Sequence, residues 1–235
     1  MTIGGKKTEK AGLDFHRINA WIFDLDNTLY PAGSNVFPQI HARMTVYISR
    51  LLGLSHDEAL ALQHAYYRAY GTTLSGLMAR HHIDPDDYLN FVHDIDLGEL
   101  HPDPELHRAL DRLPGLKLVF TNGSREHAER ILERLRLSGQ IGDIWDIRKS
   151  AFIPKPAAGT YRRMVEKTHI NPKTSVFFED LARNLVPAHE MGMTTVWLNP
   201  GASWGAADPG FSSASRAHIT HETDNLAGFL LSLRI

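Results

Sequence analysis

The chain has 235 residues, of which 25 are Lys or Arg and 27 are Asp or Glu, so its formal charge is −2. Its hydrophobic fraction of 43% and charged fraction of 22% are typical of globular proteins and exclude wholesale disorder. The absence of cysteine excludes disulfides, thiolate catalysis and cysteine-ligated metal sites, and the near-neutral charge offers no general field for binding nucleic acid polymers or membrane surfaces.

The N-terminal segment, residues 1–12, is polar and basic and is not followed by the apolar core of a secretory signal. We expect it to be a frayed leader. No apolar stretch approaches the ~20 residues that a bilayer requires. Together with the lack of cysteine, these features predict a cytoplasmic protein.

Five short apolar runs predict buried strands, because each is rich in β-branched or aromatic residues and is bounded by polar or turn residues. They lie at 20–23, 116–120, 175–178, 194–198 and, with a weaker pattern, 217–220. Between most of them lie helical patterns: Ser124 can cap a helix over 125–135, and Pro156 can begin one that runs to Thr168. This alternation predicts an α/β fold, a Rossmann-like parallel sheet with helices on both faces.

The stretch after the first strand is different, because it contains no strand-like run. Ser55 and Glu58 form a capping box at the start of a helical pattern, and Asp84 is a second N-cap, followed by a proline. We therefore expect a helical domain at 35–100, inserted into a discontinuous α/β core domain that comprises 1–34 and 101–235.

Polar residues follow the predicted strands, at the edge where open parallel sheets bind their ligands. Asp24 and Asp26 come directly after the first strand. The second strand ends in Thr121, Asn122 and Gly123, which offer a hydroxyl, an amide and a backbone that a ligand can approach closely. Each group alone is a weak signal, because paired carboxylates also form ordinary turns and a Thr-Asn-Gly run also precedes ordinary helices.

Two further motifs follow in the chain. Lys155 lies between two prolines, which restrict its backbone, and the third strongly apolar run ends in Glu179 and Asp180, with Asn184 four residues later. The order Asp-x-Asp-x-Thr, Thr-Asn-Gly, Lys and Glu-Asp-x-x-x-Asn is more specific than any single motif. Across nearly the whole chain it resembles the haloacid dehalogenase (HAD) superfamily of Mg²⁺-dependent phosphohydrolases.

The resemblance extends to the helical insertion, which corresponds to the type-1 cap of subfamily I. The run DLDNTLYP at 24–31 and the cap segment YYRAYGTTLSGL at 66–77 are similar to pyrimidine 5′-nucleotidases. In that family's terms Tyr70 and His81, with the neighbouring Tyr66, Tyr67 and His82, are candidates to contact a base. Tyrosines at helical spacing are also common packing residues, so both interpretations stay open here.

The resemblance also implies roles for the core motifs. Asp24 is the implied nucleophile and Asp26 the acid and base, with neighbouring acids expected to raise the pKa of one carboxyl. Thr121 and Lys155 would hold the phosphoryl group, and Asn122 and Gly123 would bind substrate.

A phosphate dianion near these acids needs a counter-cation, and oxygen ligands suit Mg²⁺. The implied ligands are the Asp24 carboxylate, the Asp26 backbone carbonyl and Asp180, with Asn184 behind them. Relatives often carry Gly or Asp at the position of Glu179, so the role of that residue is open. The expected partner is a small phosphorylated metabolite, foremost a pyrimidine nucleoside monophosphate.

Other functions compete with this interpretation. A phosphatase for sugar phosphates or phosphoglycolate would use the same chemistry, and so would a phosphomutase with a different cap. A dehalogenase would not need the second acid, Asp26. From another class, a receiver-like phospho-acceptor module would be shorter and would lack the cap. A non-catalytic phosphate-binding protein is disfavoured by the intact Asp24 and Asp26.

Overall fold

The computed structural model describes residues 15–199 and 216–235, so the expectation for residues 1–12 lies outside the described residues. The strands are β1 Ala20–Phe23, β2 Leu116–Phe120, β3 Asp143–Trp145, β4 Ser175–Glu179, β5 Thr194–Leu198 and β6 His221–Thr223. The helices are α1 Val36–Leu52, α2 His56–Tyr70, α3 Thr73–His81, α4 Pro85–Val92, α5 Pro104–Arg112, α6 Arg125–Arg134, α7 Ala158–Thr168, α8 Leu185–Glu190 and α9 Leu226–Leu231.

The six strands form one parallel sheet in the order β3-β2-β1-β4-β5-β6. The chain runs outward from β1 through β2 to β3, and then crosses to the other side of β1 for the remaining strands. Successive strands are therefore added on one side of β1 and then on the other. In sheets of this kind the crevice beyond the carboxyl end of the strand at this switch point is the usual ligand site. The predicted α/β fold with a Rossmann-like parallel sheet is confirmed.

Successive side chains of the strands supply two separate cores, one on each face of the sheet. Trp21 and Phe23 pack with α5, α6 and α9 on one face, whereas Ile22 packs with α7 and α8 on the other. Six apolar residues of the strands predicted at 20–23, 116–120, 175–178 and 194–198 are buried: Phe23, Val119, Phe120, Val176, Phe177 and Val196. Helices therefore cover both faces, as a parallel sheet requires.

Three local predictions need correction. Strand β3 was not predicted, because three residues carry too little pattern to recognise. The weak strand predicted at 217–220 is a turn closed by the hydrogen bond from Ile219 N to Arg216 O, and β6 follows it. Helix α7 begins at Ala158 instead of Pro156, because a hydrogen bond from Ala157 N to Pro154 O forms a turn first.

Four helices, α1 to α4, occupy the insertion between β1 and α5. Helix α2 begins with the predicted capping box of Ser55 and Glu58, and Asp84 caps α4 through the backbone N–H of Asp86. The division into a cap domain at 35–100 and a two-part core domain stays a prediction. Within residues 15–199 and 216–235, no helix combines the length and the apolar character that crossing a membrane would take.

Candidate active site

The site begins where β1 ends. The backbone N–H of Asp24 donates to Phe178 O at 2.9 Å, which extends the pairing of β1 with β4 by one residue. The Asp24 carboxylate then receives Lys155 Nζ at 2.6 Å on Oδ1 and the Thr28 hydroxyl at 3.3 Å on Oδ2. All three side chains are buried, so the sheet edge holds this carboxylate in one orientation.

Lys155 makes three hydrogen bonds with its ammonium group, which matches its three N–H donors. Besides Asp24, the acceptors are Phe120 O at 2.8 Å and Glu179 Oε2 at 2.7 Å. Asn122 fixes the backbone of the lysine, since its Oδ1 accepts from Lys155 N at 2.8 Å. The side chain of Asn122 therefore organises the site through the lysine.

Asp24, Glu179 and Asp180 form a buried acidic cluster whose nearest oxygens all lie within 4.8 Å of one another. Burial, followed by the charge of Glu179, raises the pKa of Asp24 to about 7. Burial and the same neighbour raise the pKa of Asp180 well above its usual value. Burial alone would lower the pKa of Lys155, but Asp24 and Glu179 outweigh it and raise that pKa. One lysine thus faces three carboxylates, which leaves an excess of negative charge when all are ionised.

The residues around this cluster fit a divalent cation. The cluster offers only carboxylate oxygens, the ligand type that Mg²⁺ prefers. Asn27 Oδ1 and Asn184 Oδ1 are buried oxygens with no hydrogen-bond partner among the described residues, and both asparagines line the same cavity as the cluster. Glu179, whose role the sequence left open, belongs to the cluster and also binds Lys155.

The carboxylate of Asp26 lies outside the cluster. Its Oδ1 accepts from the Tyr30 hydroxyl at 2.5 Å and from His127 Nε2 at 2.8 Å. Burial would raise the pKa of Asp26, but the charge and hydrogen bond of His127, with the bond from Tyr30, outweigh it and lower the pKa to about 2. Neighbouring acids therefore raise the pKa of Asp24 and Asp180, whereas His127 and Tyr30 lower that of Asp26.

The loop after β2 lies across the same crevice. Thr121 is buried, and its Oγ1 accepts from the backbone N–H of Gly123 at 2.9 Å. Ser124 caps α6, as predicted, through the backbone N–H of His127. Thr121, Asn122, Gly123 and Lys155 all line one cavity with the acidic cluster, so the tertiary structure brings the four core motifs together.

This cavity has a volume of about 430 Å³ and extends from the sheet edge to the inserted helices. The inserted helices contribute a mostly apolar wall with a few polar side chains: Phe37, Ile40, His41, Met44, Gln63, His64, Tyr67, Thr72, Thr73, Leu74, Tyr88, Leu89 and Val92. Arg183, from the core, stacks over the Tyr67 ring at 4.7 Å and donates a hydrogen bond to its hydroxyl.

Two residues predicted to bind substrate do not line the cavity. Tyr70 is 38% exposed at the end of α2, and His81 Nε2 is hydrogen-bonded to the Tyr66 hydroxyl at 2.6 Å. Of the predicted cap aromatics, Tyr67 lines the cavity. Tyr67 and Tyr70 are three apart and so lie on the same side of α2, one turn from each other, and the cap motif alone did not identify which of them reaches the cavity.

The sequence analysis missed Tyr30, His93 and His127. Tyr30 follows Asp26 by four residues, and His127 lies in the first turn of the helix that Ser124 caps. That first turn follows directly from the carboxyl end of β2, which is a signal that could have identified His127. His93 follows α4 at the end of the inserted helices and carries no comparable signal.

The fold and the site together define an α/β protein with a carboxylate-based site. An aspartate, a lysine and two further acids are buried at the carboxyl edge of an open parallel sheet, beneath a set of inserted helices. Residues 18–192 match the family model of haloacid dehalogenase-like hydrolases. The match spans most of the chain, and the protein belongs to this hydrolase family.

The chain is similar to several known proteins. It is 28% identical over 189 residues to Phosphate metabolism protein 8 of Saccharomyces cerevisiae, an alignment that covers 74% of this chain and 59% of the yeast protein. Among solved structures, the HAD-hydrolase YfnB from Bacillus subtilis bound to magnesium has a TM-score of 0.58 at 16% identity, covering 93% of this chain and 100% of that one.

A HAD phosphatase from Thermococcus onnurineus has a TM-score of 0.57 at 16% identity, covering 93% of this chain and 100% of that one. The L-2-haloacid dehalogenase of Xanthobacter autotrophicus has a TM-score of 0.54 at 12% identity, covering 91% and 97%. At such identities these likenesses show the fold alone.

Proposed function

We propose that this protein is a Mg²⁺-dependent phosphomonoester hydrolase that acts through an aspartyl-phosphate on Asp24. The observation that carries the proposal is the contact of 2.6 Å between Asp24 and Lys155 beside a buried acidic cluster, at one end of a cavity large enough for a small metabolite. The name of the yeast relative, Phosphate metabolism protein 8, agrees with this reaction class.

In the first step an oxygen of the Asp24 carboxylate attacks phosphorus, and the bond from phosphorus to the ester oxygen breaks. Asp26 takes up a proton when the phosphate dianion binds beside it, because a like charge raises the pKa of a carboxyl. The departing alkoxide takes this proton, which leaves an alcohol and an ionised Asp26. Lys155 and the Thr121 hydroxyl lie at the same end of the cavity and would stabilise the phosphoryl oxygens as charge moves among them.

In the second step Asp26 accepts a proton from a water molecule while that water attacks phosphorus. The bond between phosphorus and the Asp24 oxygen breaks, which restores the carboxylate and releases inorganic phosphate. Asp26 regains its proton in this step and can serve the next cycle.

The acidic cluster would hold Mg²⁺ through Asp24 and Asp180, with Glu179 and Asn184 beside them and the Asp26 backbone carbonyl as a further proposed ligand. Without a cation, a carboxylate and a phosphate charge ~4 Å apart repel by about 4 kcal/mol at an effective dielectric of about 20. Bound Mg²⁺ supplies the charge that offsets this repulsion.

For the substrate we propose a pyrimidine nucleoside 5′-monophosphate, in a cytoplasmic enzyme. The apolar wall, together with the Tyr67 ring and the two histidines His41 and His64, suits a flat leaving group with polar edges. Other small phosphomonoesters, including sugar phosphates and phosphoglycolate, are the competing substrates of the same chemistry.

Phosphate release from a panel of substrates tests the proposal. UMP, CMP, AMP, GMP, sugar phosphates and phosphoglycolate are each assayed with Mg²⁺, with a chelator, and with Asp24→Asn. We expect Mg²⁺-dependent turnover that is fastest with UMP and CMP and lost in the variant. Preference for another phosphomonoester would refute the nucleotide as the substrate but would agree with the proposed chemistry. A folded protein that binds Mg²⁺ but turns over none of them would contradict the enzymatic proposal.

A further inference from the structure

The Asp26 side chain is held by two residues to which the sequence analysis assigned no role, Tyr30 and His127. Both of its hydrogen bonds, from His127 Nε2 at 2.8 Å and from the Tyr30 hydroxyl at 2.5 Å, end on the same oxygen, Oδ1. Within the described residues Oδ2 accepts no hydrogen bond, and Asp26 lines the cavity. One oxygen is therefore anchored, and the other is left to act on a ligand.

His127 is itself fixed tightly. Its side chain is fully buried, and its ring stacks on that of His93 with centroids 4.2 Å apart and planes 10° from parallel. Its Nδ1 is buried and has no hydrogen-bond partner among the described residues, so the polar contact of this ring is the one between Nε2 and Asp26. A buried histidine that served only to fill space would not need this orientation.

The stack also connects the site to the inserted helices. His93 directly follows α4, and its Nδ1 is hydrogen-bonded to Ser124 Oγ at 3.0 Å. Arg130, one turn after His127 on α6, donates to His93 O at 2.8 Å and to Ile95 O at 2.9 Å. The connection from α4 back to the core is thus fastened to the same helix that presents His127.

We propose that His127 is a positioning residue that orients Asp26 for proton transfer, and that His93 braces it from the end of the inserted helices. This inference rests on the proposed role of Asp26 as acid and base. A side chain that must deliver a proton to a departing oxygen has to be aimed within a few tenths of an ångström. The anchored Oδ1 and the stacked imidazoles supply that restraint.

Substrates with different leaving groups can show whether His127 positions Asp26 or only supports the structure. An alkoxide from a nucleotide or glycerol phosphate needs a proton as it departs, whereas p-nitrophenolate is stable enough to leave without one. We expect His127→Leu to lower kcat/KM about 100-fold for an alkyl phosphate and no more than about threefold for p-nitrophenyl phosphate. His127→Gln, whose amide N–H can replace Nε2–H, should restore most of the loss. Equal losses on the two substrates, or no restoration by Gln, would overturn the inference.

A second measurement does not depend on turnover or on the Leu variant folding. In ¹⁵N-histidine NMR spectra of the wild-type protein, His127 Nε2 should carry a slowly exchanging, hydrogen-bonded proton. Asp26→Ala should shift or remove this signal, and His93→Phe, which keeps a stacked ring, should preserve it. A signal unaffected by Asp26→Ala would contradict the contact. Failure of the wild-type protein to hydrolyse any phosphomonoester would instead refute the proposed function, so the two failures can be told apart.

Discussion

The two walls of the cavity are built differently. The core wall, comprising Asp24, Thr121, Lys155, Glu179 and Asp180, consists of buried side chains in a dense set of hydrogen bonds. The cap wall, from the inserted helices, combines buried apolar side chains such as Leu89 with half-buried or exposed side chains on α1 and α2: Phe37, His41, His64 and Tyr67. In the proposed reaction the fixed charges on the sheet edge would carry out the chemistry, and the helices would select the leaving group.

Removing the proposed nucleophile from the core wall has the largest expected effect. Asp24→Asn should lower kcat by about a thousandfold or more, because no other described carboxylate takes its place next to Lys155 and Thr28. The measurement is Mg²⁺-dependent phosphate release by the purified variant. Asp57→Asn, which changes a fully exposed carboxylate, is the control and should leave the rate unchanged. Near-normal turnover by Asp24→Asn would refute the proposal that the core wall carries the reacting groups.

Removing the one cation of the core wall should cost stability as well as activity. Lys155→Met leaves three buried carboxylates without their counter-charge, so we expect the free energy of unfolding to fall by about 3–5 kcal/mol at pH 8 in denaturant titrations. At pH 5 the loss should be smaller, because protonation of the carboxyls relieves the repulsion.

Lys149→Met is the matched control for this experiment. Lys149 pairs with Asp143 at 2.8 Å, but both side chains are more than a third exposed, so the cost should stay within about 1 kcal/mol. A similar loss of unfolding free energy in the two lysine variants would mean that burial of the ion pair does not decide how much the lysine contributes to stability.

A cation should stabilise the core wall in a pH-dependent way. The folded pKa of Asp24 is about 7, above its usual 3.8, so the charge of this carboxyl costs stability progressively as pH rises between these values. Mg²⁺ should therefore raise Tm by about 5–10 °C at pH 8 in hundredfold excess over its Kd. The rise in Tm should be smaller at pH 5.5, where protons compete with Mg²⁺ for the carboxylates, and it should be absent in Asp180→Asn. Thermal melts that show the same shift in wild type and variant would place the cation elsewhere.

The cap wall should control selectivity with a smaller effect. Tyr67→Ala should lower kcat/KM for the best nucleotide about tenfold while changing turnover of p-nitrophenyl phosphate little, because it removes a ring from the cavity and leaves the reacting groups in place. Tyr70→Ala, on the same helix and outside the cavity, is the control. A larger effect from Tyr70 than from Tyr67 would support the original sequence-based choice and contradict this geometry.

Local patterns were sufficient to predict most of the fold. Apolar runs such as 116–120 and 175–178 are bounded by polar residues, so their strand character needs no tertiary information, and Ser124 marks the start of α6 in the same way. The pattern failed for β3 and for the stretch at 217–220, where three-residue strands depend on pairing with their neighbours. Short edge strands are decided by the sheet they join.

The sequence by itself determined that three of the four core motifs, at Asp24, Thr121 and Glu179, follow strands of one parallel sheet, because residues at strand ends share an edge whatever the details of packing. Only the tertiary structure decided which side chains meet. Asp26 and His127 are 101 residues apart, and strand order brings them together. Likewise, the placement of α2 against the core brings Tyr67 to the cavity and leaves Tyr70, at the end of the helix, outside it. Such contacts depend on the packing of whole elements, and no local pattern encodes them.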